Sequence, residues 1–327
     1  VRSGADAAPN TSRAAAAPER DNGRVLMLLD TPSLYFRAFY GVPDSITAPD
    51  GMPVNAVRGL IDMIATLVRD HSPTGLAACM DADWRPAFRV AAIPSYKAHR
   101  VATGNEEEVP DALVPQIPVI EEFLDAVGIA RLAAEGYEAD DVIGTLAHRE
   151  AGAVDIVTGD RDLFQLVDDA RPCRVLYTVR GIRNLQTVDE AFVTQKYGIP
   201  GRTYADFATL RGDPSDGLPG VPGIGEKSAA ALVSRFGSLV KLLGALDEGV
   251  QEGFPSGTRA KLAAARAYLD VAPAVVRVAH DAPMPAADLA CPAGPRDAER
   301  LVALADRYGL DGPVNRLLSA LSSRTAA

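Results

Sequence analysis

The chain has 327 residues, 47% of them hydrophobic and 23% charged, a balance that excludes a disordered, collagen-like or disulfide-stapled protein. Its 33 Lys and Arg against 43 Asp and Glu give a formal charge of −10, which taken globally argues against the basic footprint usual for a nucleic-acid partner. Cys79, Cys173 and Cys291 are too few and scattered for a disulfide framework or a zinc site. No apolar run reaches the roughly 18 residues of a membrane span, so a cytoplasmic protein with no membrane contact is expected.

Residues 1–23 carry no periodic apolar face and are expected to form a disordered tail. Val25-Leu26-Met27-Leu28-Leu29-Asp30 is an apolar run ending in an acid, the pattern of a strand buried on both faces. A helical stretch over 54–69 follows, then a second apolar run, 75–80, that ends in Asp81. Helical periodicity returns over 112–127, a short strand is predicted over 129–133, and a helix with an acidic first turn over 138–149. Val154–Thr158 is the next predicted strand, and Gly159-Asp160-Arg161-Asp162 follows it. Strands alternating with helices predict an α/β fold with a twisted, mainly parallel sheet flanked by helices. Beyond about residue 186 the pattern is mostly helical, so an α/β core over 24–185 and a helical unit over 186–327 are expected.

Ligands of open parallel sheets collect outside the carboxyl ends of the strands. Asp30, Asp81, Asp160 and Asp162 fall at predicted strand ends; Glu138, Asp140 and Asp141 open a helix; Asp213 and Asp216 are three apart, on one face if helical. Each alone reads as a turn, a cap or ordinary helix charge. Together these nine would repel strongly without cations. An oxygen-only set without His or Cys favours Mg²⁺ or Mn²⁺, and two such ions about 4 Å apart would clamp a phosphodiester in an in-line displacement. With these nine set aside, the rest of the chain is close to neutral.

Two segments are purely basic. The seventeen residues from Trp84 to Arg100 carry Arg85, Arg89, Lys97 and Arg100, interleaved with Trp84, Phe88 and Tyr96, and no acid, a recipe for single-stranded or frayed nucleic acid. Residues 171–183 hold Arg171, Arg174, Arg180 and Arg183, where a solvated face is an equally good reading. In Gly220-Val221-Pro222-Gly223-Ile224-Gly225-Glu226-Lys227-Ser228 the glycines allow close backbone approach to a phosphate, and a helix starting near Lys227 would aim free N–H groups at it. The spacing is not that of a P-loop.

In order, Asp30 with Arg37, Asp81, Tyr96-Lys97-Ala98-His99-Arg100, Gly136-Tyr137-Glu138-Ala139-Asp140-Asp141, Thr158-Gly159-Asp160-Arg161-Asp162, Gly212-Asp213-Pro214-Ser215-Asp216 and the 218–227 string resemble the bacterial 5′-nuclease family. That family comprises the 5′→3′ exonuclease domain of DNA polymerase I, its free-standing relatives and the flap endonucleases. The resemblance implies a helical arch around 84–112 and a helix–hairpin–helix subdomain with its hairpin at 218–236. It implies a structure-specific 5′→3′ exonuclease or 5′-flap endonuclease, working by two metals in primer removal and DNA repair. Asp30, Asp81, Glu138, Asp140 and Asp160 would hold the first ion, and Asp162, Asp213 and Asp216 the second, with Asp141 nearby. Lys97 would be the catalytic lysine, Arg37 and Arg100 phosphate clamps, and Tyr96 the aromatic on which the terminal base stacks. Arg85, Arg89, Gly223, Gly225, Lys227 and Ser228 would contact DNA, with K⁺ held by hairpin carbonyls. A monomeric, stand-alone nuclease acting on DNA with a 5′ end or flap is therefore expected. Glu106-Glu107-Glu108 in the arch and Gly217, where relatives commonly carry Asn, depart from the family pattern.

A PIN-type metal-dependent ribonuclease also gathers strand-end carboxylates, but is much shorter and lacks the glycine-rich hairpin. A haloacid-dehalogenase-type phosphatase needs Asp-x-Asp after its first strand, where Thr31-Pro32 stands here. A non-catalytic helix–hairpin–helix DNA-binding protein would be expected to lose carboxylates that this chain keeps.

Overall fold

The computed structural model describes residues 23–102 and 107–324. The expected tail, apart from residue 23, and Glu106 of the acidic arch string lie outside the described residues. Six strands form one sheet in the order β3-β2-β1-β4-β5-β6: β1 is Val25–Asp30, β2 Gly75–Cys79, β3 Ala130–Leu132, β4 Ala153–Thr158, β5 Cys173–Tyr177 and β6 Gln186–Val188. All neighbours are parallel except β5 and β6, which run antiparallel. The apolar runs of β1, β2 and β4 are buried on both faces because alternate side chains enter two separate cores. Leu26, Leu28, Ile156 and Val175 join one; Met27, Leu29, Val157 and Leu176 join the other.

Helices α1 (Thr31–Gly41), α2 (Asn55–His71), α3 (Ala87–Ala92), α4 (Gln116–Val127) and α5 (Ala139–Arg149) alternate with the first strands. Pro32 sits in the first turn of α1, where its missing N–H costs nothing. The described part of the segment expected to form an arch holds α3 and a 3-10 turn at 98–100, and its Ile93 and Tyr96 join the core with Leu26 and Leu28. Further on come α6 (Glu190–Tyr197), α7 (Tyr204–Arg211), α8 (Glu226–Phe236), α9 (Leu239–Asp247), α10 (Thr258–Ala264), α11 (Arg266–Val271), α12 (Pro273–Val276), α13 (Ala298–Tyr308) and α14 (Asp311–Arg324).

Two expectations need correction. Strands β5 and β6 fall where a basic segment and then helices were read, because Arg174 interrupts the apolar pattern of β5. Its guanidinium forms a two-point pair with the buried Asp155 of neighbouring β4, at 2.9 and 3.1 Å. The end of the chain does not belong to the helical unit assigned to 186–327. Helix α14 packs on α2 and α13 on α4, burying Leu301, Leu304, Leu317 and Leu321 in the same core as Met27 and Leu29.

Candidate active site and nucleic-acid interface

Strand ends deliver the acids to one edge. Asp30 closes β1 and caps α1; its carboxylate accepts from the Thr158 hydroxyl at 2.5 Å and from the Ser33 amide at 3.3 Å. Burial pushes its carboxyl up to about 7, with Asp160 and Asp81 adding to the rise and the Thr158 bond opposing it. Asp81, just past β2, accepts the Ala139 amide at 2.7 Å, and burial and then Glu138 raise it. Burial, Asp30 and Asp160 hold Asp140 well above the usual carboxylate range. Asp160 is exposed and accepts the Asp162 amide at 2.8 Å.

Asp162 carries the clearest signature. Its Oδ1 is buried with no hydrogen-bond partner, and burial, then Asp160, Asp216 and Asp213, push its carboxyl well above its ordinary value. Asp213 accepts from the amide and hydroxyl of Ser215, with Arg211 at 3.4 Å. Burial raises Asp216 against the pull of Lys97. A cleft of about 580 Å³ opens over this second group, lined by Asp160, Asp162, Asp213 and Asp216 and by Arg100, Arg161, Arg180 and Lys196. An acidic floor under a cationic wall suits a cation bound to an anionic ligand.

Arg89, Asp141 and Tyr96 do not sit as expected. Arg89 is 2% exposed and pairs with both Glu138 and Asp141, so it cannot meet DNA. Asp141 is fully buried and accepts four hydrogen bonds, two from Arg89 and one each from the Glu138 and Ala279 amides. With its lone pairs so engaged, it is not a free metal ligand. Tyr96 is buried and donates its hydroxyl to Glu138 at 2.7 Å, so its ring offers no stacking face. Phe88, 42% exposed and 5.7 Å from the Tyr137 ring, is the aromatic that the segment presents outward. Arg85 donates to the Tyr96 and Pro94 carbonyls at 2.6 and 2.9 Å, stapling its own loop.

Lys97 and Arg100 do reach the acids. The Lys97 ammonium pairs with Glu138; burial pulls its pKa down, but Glu138, Tyr96, Asp216 and Asp81 together outweigh burial and keep the lysine protonated. Arg100 donates to Asp216 at 2.7 Å and to the Ser215 carbonyl at 2.8 Å. Arg37 is half-buried beside Gly159 and makes no ion pair among the described residues. Gly217 is the hinge of this docking: its φ is +71°, and a Cβ there would stand 2.1 Å from the Ser95 carbonyl. Sequence reasoning missed Thr158, Ser33 and Ser215, which hold the acids in place. Ser33 and Ser215 lie within three residues of the aspartates they bond, a signal the sequence offers, whereas Thr158 bonds Asp30 across 128 residues and offers none.

The glycine string forms the expected turn before α8. Val221 and Ile224 are buried anchors, while Gly223, Gly225 and Lys227 are exposed and Ser228 is half-buried. Gly225, the N-cap, offers no side chain to the first-turn amides. The Gly223 carbonyl, expected to help hold K⁺, accepts the Lys261 ammonium of α10 at 2.9 Å.

Divalent cations fit the residue types here: every donor is a carboxylate oxygen, the acids raise one another, and a buried oxygen stands unpaired. Among the described residues no three His, Cys, Asp or Glu groups are close enough to close on one ion, so ligation requires side-chain rotation. Glu138 accepts from Lys97 on Oε1 and from Tyr96 and Arg89 on Oε2, which leaves one lone-pair site on Oε1 for an ion.

A parallel sheet with acids at its carboxyl edge, joined to a glycine-hairpin module, defines the nuclease class. Family models describe residues 25–198 as the N-terminal resolvase-like domain of 5′-3′ exonucleases and 199–299 as their C-terminal SAM fold. The chain is 62% identical over 302 residues to a 5′-3′ exonuclease of Streptomyces coelicolor, covering 91% of this chain and all of that protein. It is 52% identical over 312 residues to a 5′-3′ exonuclease of Mycobacterium tuberculosis, covering 91% and 98%. DNA polymerase I of Mycobacterium bovis is 45% identical over 238 residues, covering 71% of this chain and 25% of the polymerase. The fold is shared with a bacteriophage T5 flap endonuclease solved with DNA and metal ions, at TM-score 0.61 and 16% identity over 93% of this chain and all of that one. The catalytic core of Rad2 with DNA substrate matches at TM-score 0.54 and 17% identity, covering 92% of both chains. The chain belongs to the 5′-3′ exonuclease family.

Proposed function

We propose that the protein hydrolyses DNA phosphodiesters at 5′ ends and 5′ flaps with two divalent ions, Mg²⁺ or Mn²⁺, in primer removal and repair, and works as a cytoplasmic monomer. The observation that carries this reading is the buried, unpartnered Asp162 Oδ1 among acids that raise one another beneath a cationic cleft. Asp30, Asp81, Asp140 and Asp160, with the remaining lone pair of Glu138, would hold one ion; Asp162, Asp213 and Asp216 would hold the other. Such ions supply charge that steadies the attacking and leaving oxygens. Lys97 and Arg100 would meet phosphoryl charge, as would Arg37.

The core over 24–185, joined by Asp213 and Asp216 from beyond it, would carry the chemistry. The hairpin, through the exposed Gly223 and Gly225 backbone with Lys227 and Ser228, would grip duplex phosphates without reading sequence. K⁺ on the hairpin carbonyls would have the Lys261 ammonium as a neighbour at Gly223. Cleavage of matched DNA and RNA flaps with Mg²⁺ and with EDTA tests the reading. DNA cleavage that persists undiminished in EDTA overturns it, and preference for RNA moves the protein to the ribonuclease class.

A further inference from the structure

Behind Glu138, away from the cleft, α3 and the stretch 275–282, which begins in the last turn of α12, meet at a single guanidinium. Arg89 uses all three nitrogens. Its Nε donates to the Val275 carbonyl at 3.0 Å, and one terminal nitrogen bridges Glu138 Oε2 at 2.5 Å and Asp141 Oδ2 at 2.7 Å. The other terminal nitrogen donates to Asp141 Oδ1 at 2.7 Å, an oxygen that also accepts the Ala279 amide at 2.8 Å. The stretch is itself fastened to the core. Gln165 bonds Val276 O and Val278 N, both at 3.1 Å, and the Thr145 hydroxyl bonds Ala279 O and Ala282 N. It also passes so close to α5 that a Cβ on Gly144 would lie 2.6 Å from the Ala279 carbonyl. Glu138 and Arg89 fall in the resolvase-like part of the chain, and 275–282 in the SAM-fold part.

We propose that Arg89 is a positioning residue that makes the orientation of Glu138, and through it the place of the Lys97 ammonium, depend on the 275–282 stretch. The fork of a guanidinium fixes two carboxylates and a carbonyl at once, which the point charge of a lysine cannot do. The other Glu138 oxygen holds Lys97, so a shift of one carboxylate moves the cation expected at the phosphoryl group. A purely supporting arginine would lower stability when replaced and leave turnover alone. This inference rests on the nuclease reading above.

The test uses the full chain with Arg89→Lys and Gly144→Ala. Gly144 lies one turn along α5 from Asp140 and Asp141, and the atoms nearest an added methyl there are the Ala279 carbonyl and the Val278 side chain. A displacement on the order of 1 Å at a reacting group costs roughly 100-fold in rate. Each variant should therefore lose kcat on that order in flap cleavage, with KM unchanged, and the double variant should lose little more than the worse single one. A second readout needs no turnover: Trp84 is the sole tryptophan, and its carbonyl faces the Lys97 ammonium at 3.4 Å. Its emission, titrated with Mg²⁺ in the absence of DNA, should respond at higher concentration in both variants. If Gly144→Ala does not fold, Thr145→Val removes two bonds of the stretch and should give the same pattern. Lower melting temperature with wild-type kcat and an unshifted Trp84 titration overturns the proposal, as does a rise confined to KM. Wild-type protein inert with both Mg²⁺ and Mn²⁺ overturns the nuclease reading instead.

Discussion

Gly217→Ala is the sharpest probe of how the Lys97 segment is held. Glycine adopts φ +71° there freely, whereas alanine costs roughly 1–2 kcal/mol in that region. Its Cβ would also stand 2.1 Å from the Ser95 carbonyl, a backbone atom that cannot swing aside alone. The contact is relieved by lifting 95–100, which breaks the Ser95 hydroxyl bond to Gly217 O (2.8 Å) and the Lys97 amide bond to Asp216 O (2.9 Å). At about 1 kcal/mol each, the expected destabilisation is about 3 kcal/mol. Urea unfolding should show an earlier midpoint at unchanged slope. Since Lys97 and Arg100 ride on the lifted segment, single-turnover cleavage should fall on the order of 100-fold. Unfolding within about 0.5 kcal/mol of wild type together with normal cleavage would refute the docking argument; the threshold is the scatter usual for neutral surface changes.

Asp162→Asn should abolish turnover by orders of magnitude yet raise the melting temperature in EDTA, because it removes a carboxylate that burial penalises; calorimetry and cleavage together decide. With Asp30 raised to about 7, the folded chain binds more protons than the unfolded one between roughly pH 4 and 7. Stability in EDTA should therefore fall as pH rises across that window, and Mg²⁺ should restore more melting temperature at pH 8 than at pH 5. A flat EDTA profile would count against the cluster. Gly225 has φ −92° and open space around it, so Gly225→Ala should fold normally but weaken duplex binding if the hairpin backbone approaches phosphate. Lys227→Ala should lower the slope of log K against log salt by about one in titrations at varied KCl.

The sheet was readable where burial is two-sided: Val25–Leu29 and Val154–Thr158 have no reason to be so apolar except to separate two cores. Even there Asp155 was a visible anomaly, and a mid-strand acid calls for a cation on the next strand. That cation is Arg174, and the pairing would have revealed β5 inside what looked like a basic face. The acids of the site were legible because strand ends place them. Their cations were not, because residue type does not tell whether an arginine faces solvent or a buried carboxylate: Arg100 meets Asp216 at the cleft, while Arg89 lies behind it. Tyr96 was misplaced for the same reason, since its hydroxyl satisfies Glu138 from inside the core.

The seating of α14 on α2 has a consequence for synthesis. Leu60, Ile61, Ile64 and Val68 belong to a core completed by Val314, Leu317 and Leu321, some 250 residues later. At roughly 5–20 residues per second, a ribosome leaves that greasy flank without its cover for on the order of ten seconds or more. The β1 and β2 neighbourhood therefore waits on α14, and a chain released before it is made carries an adhesive face that invites aggregation.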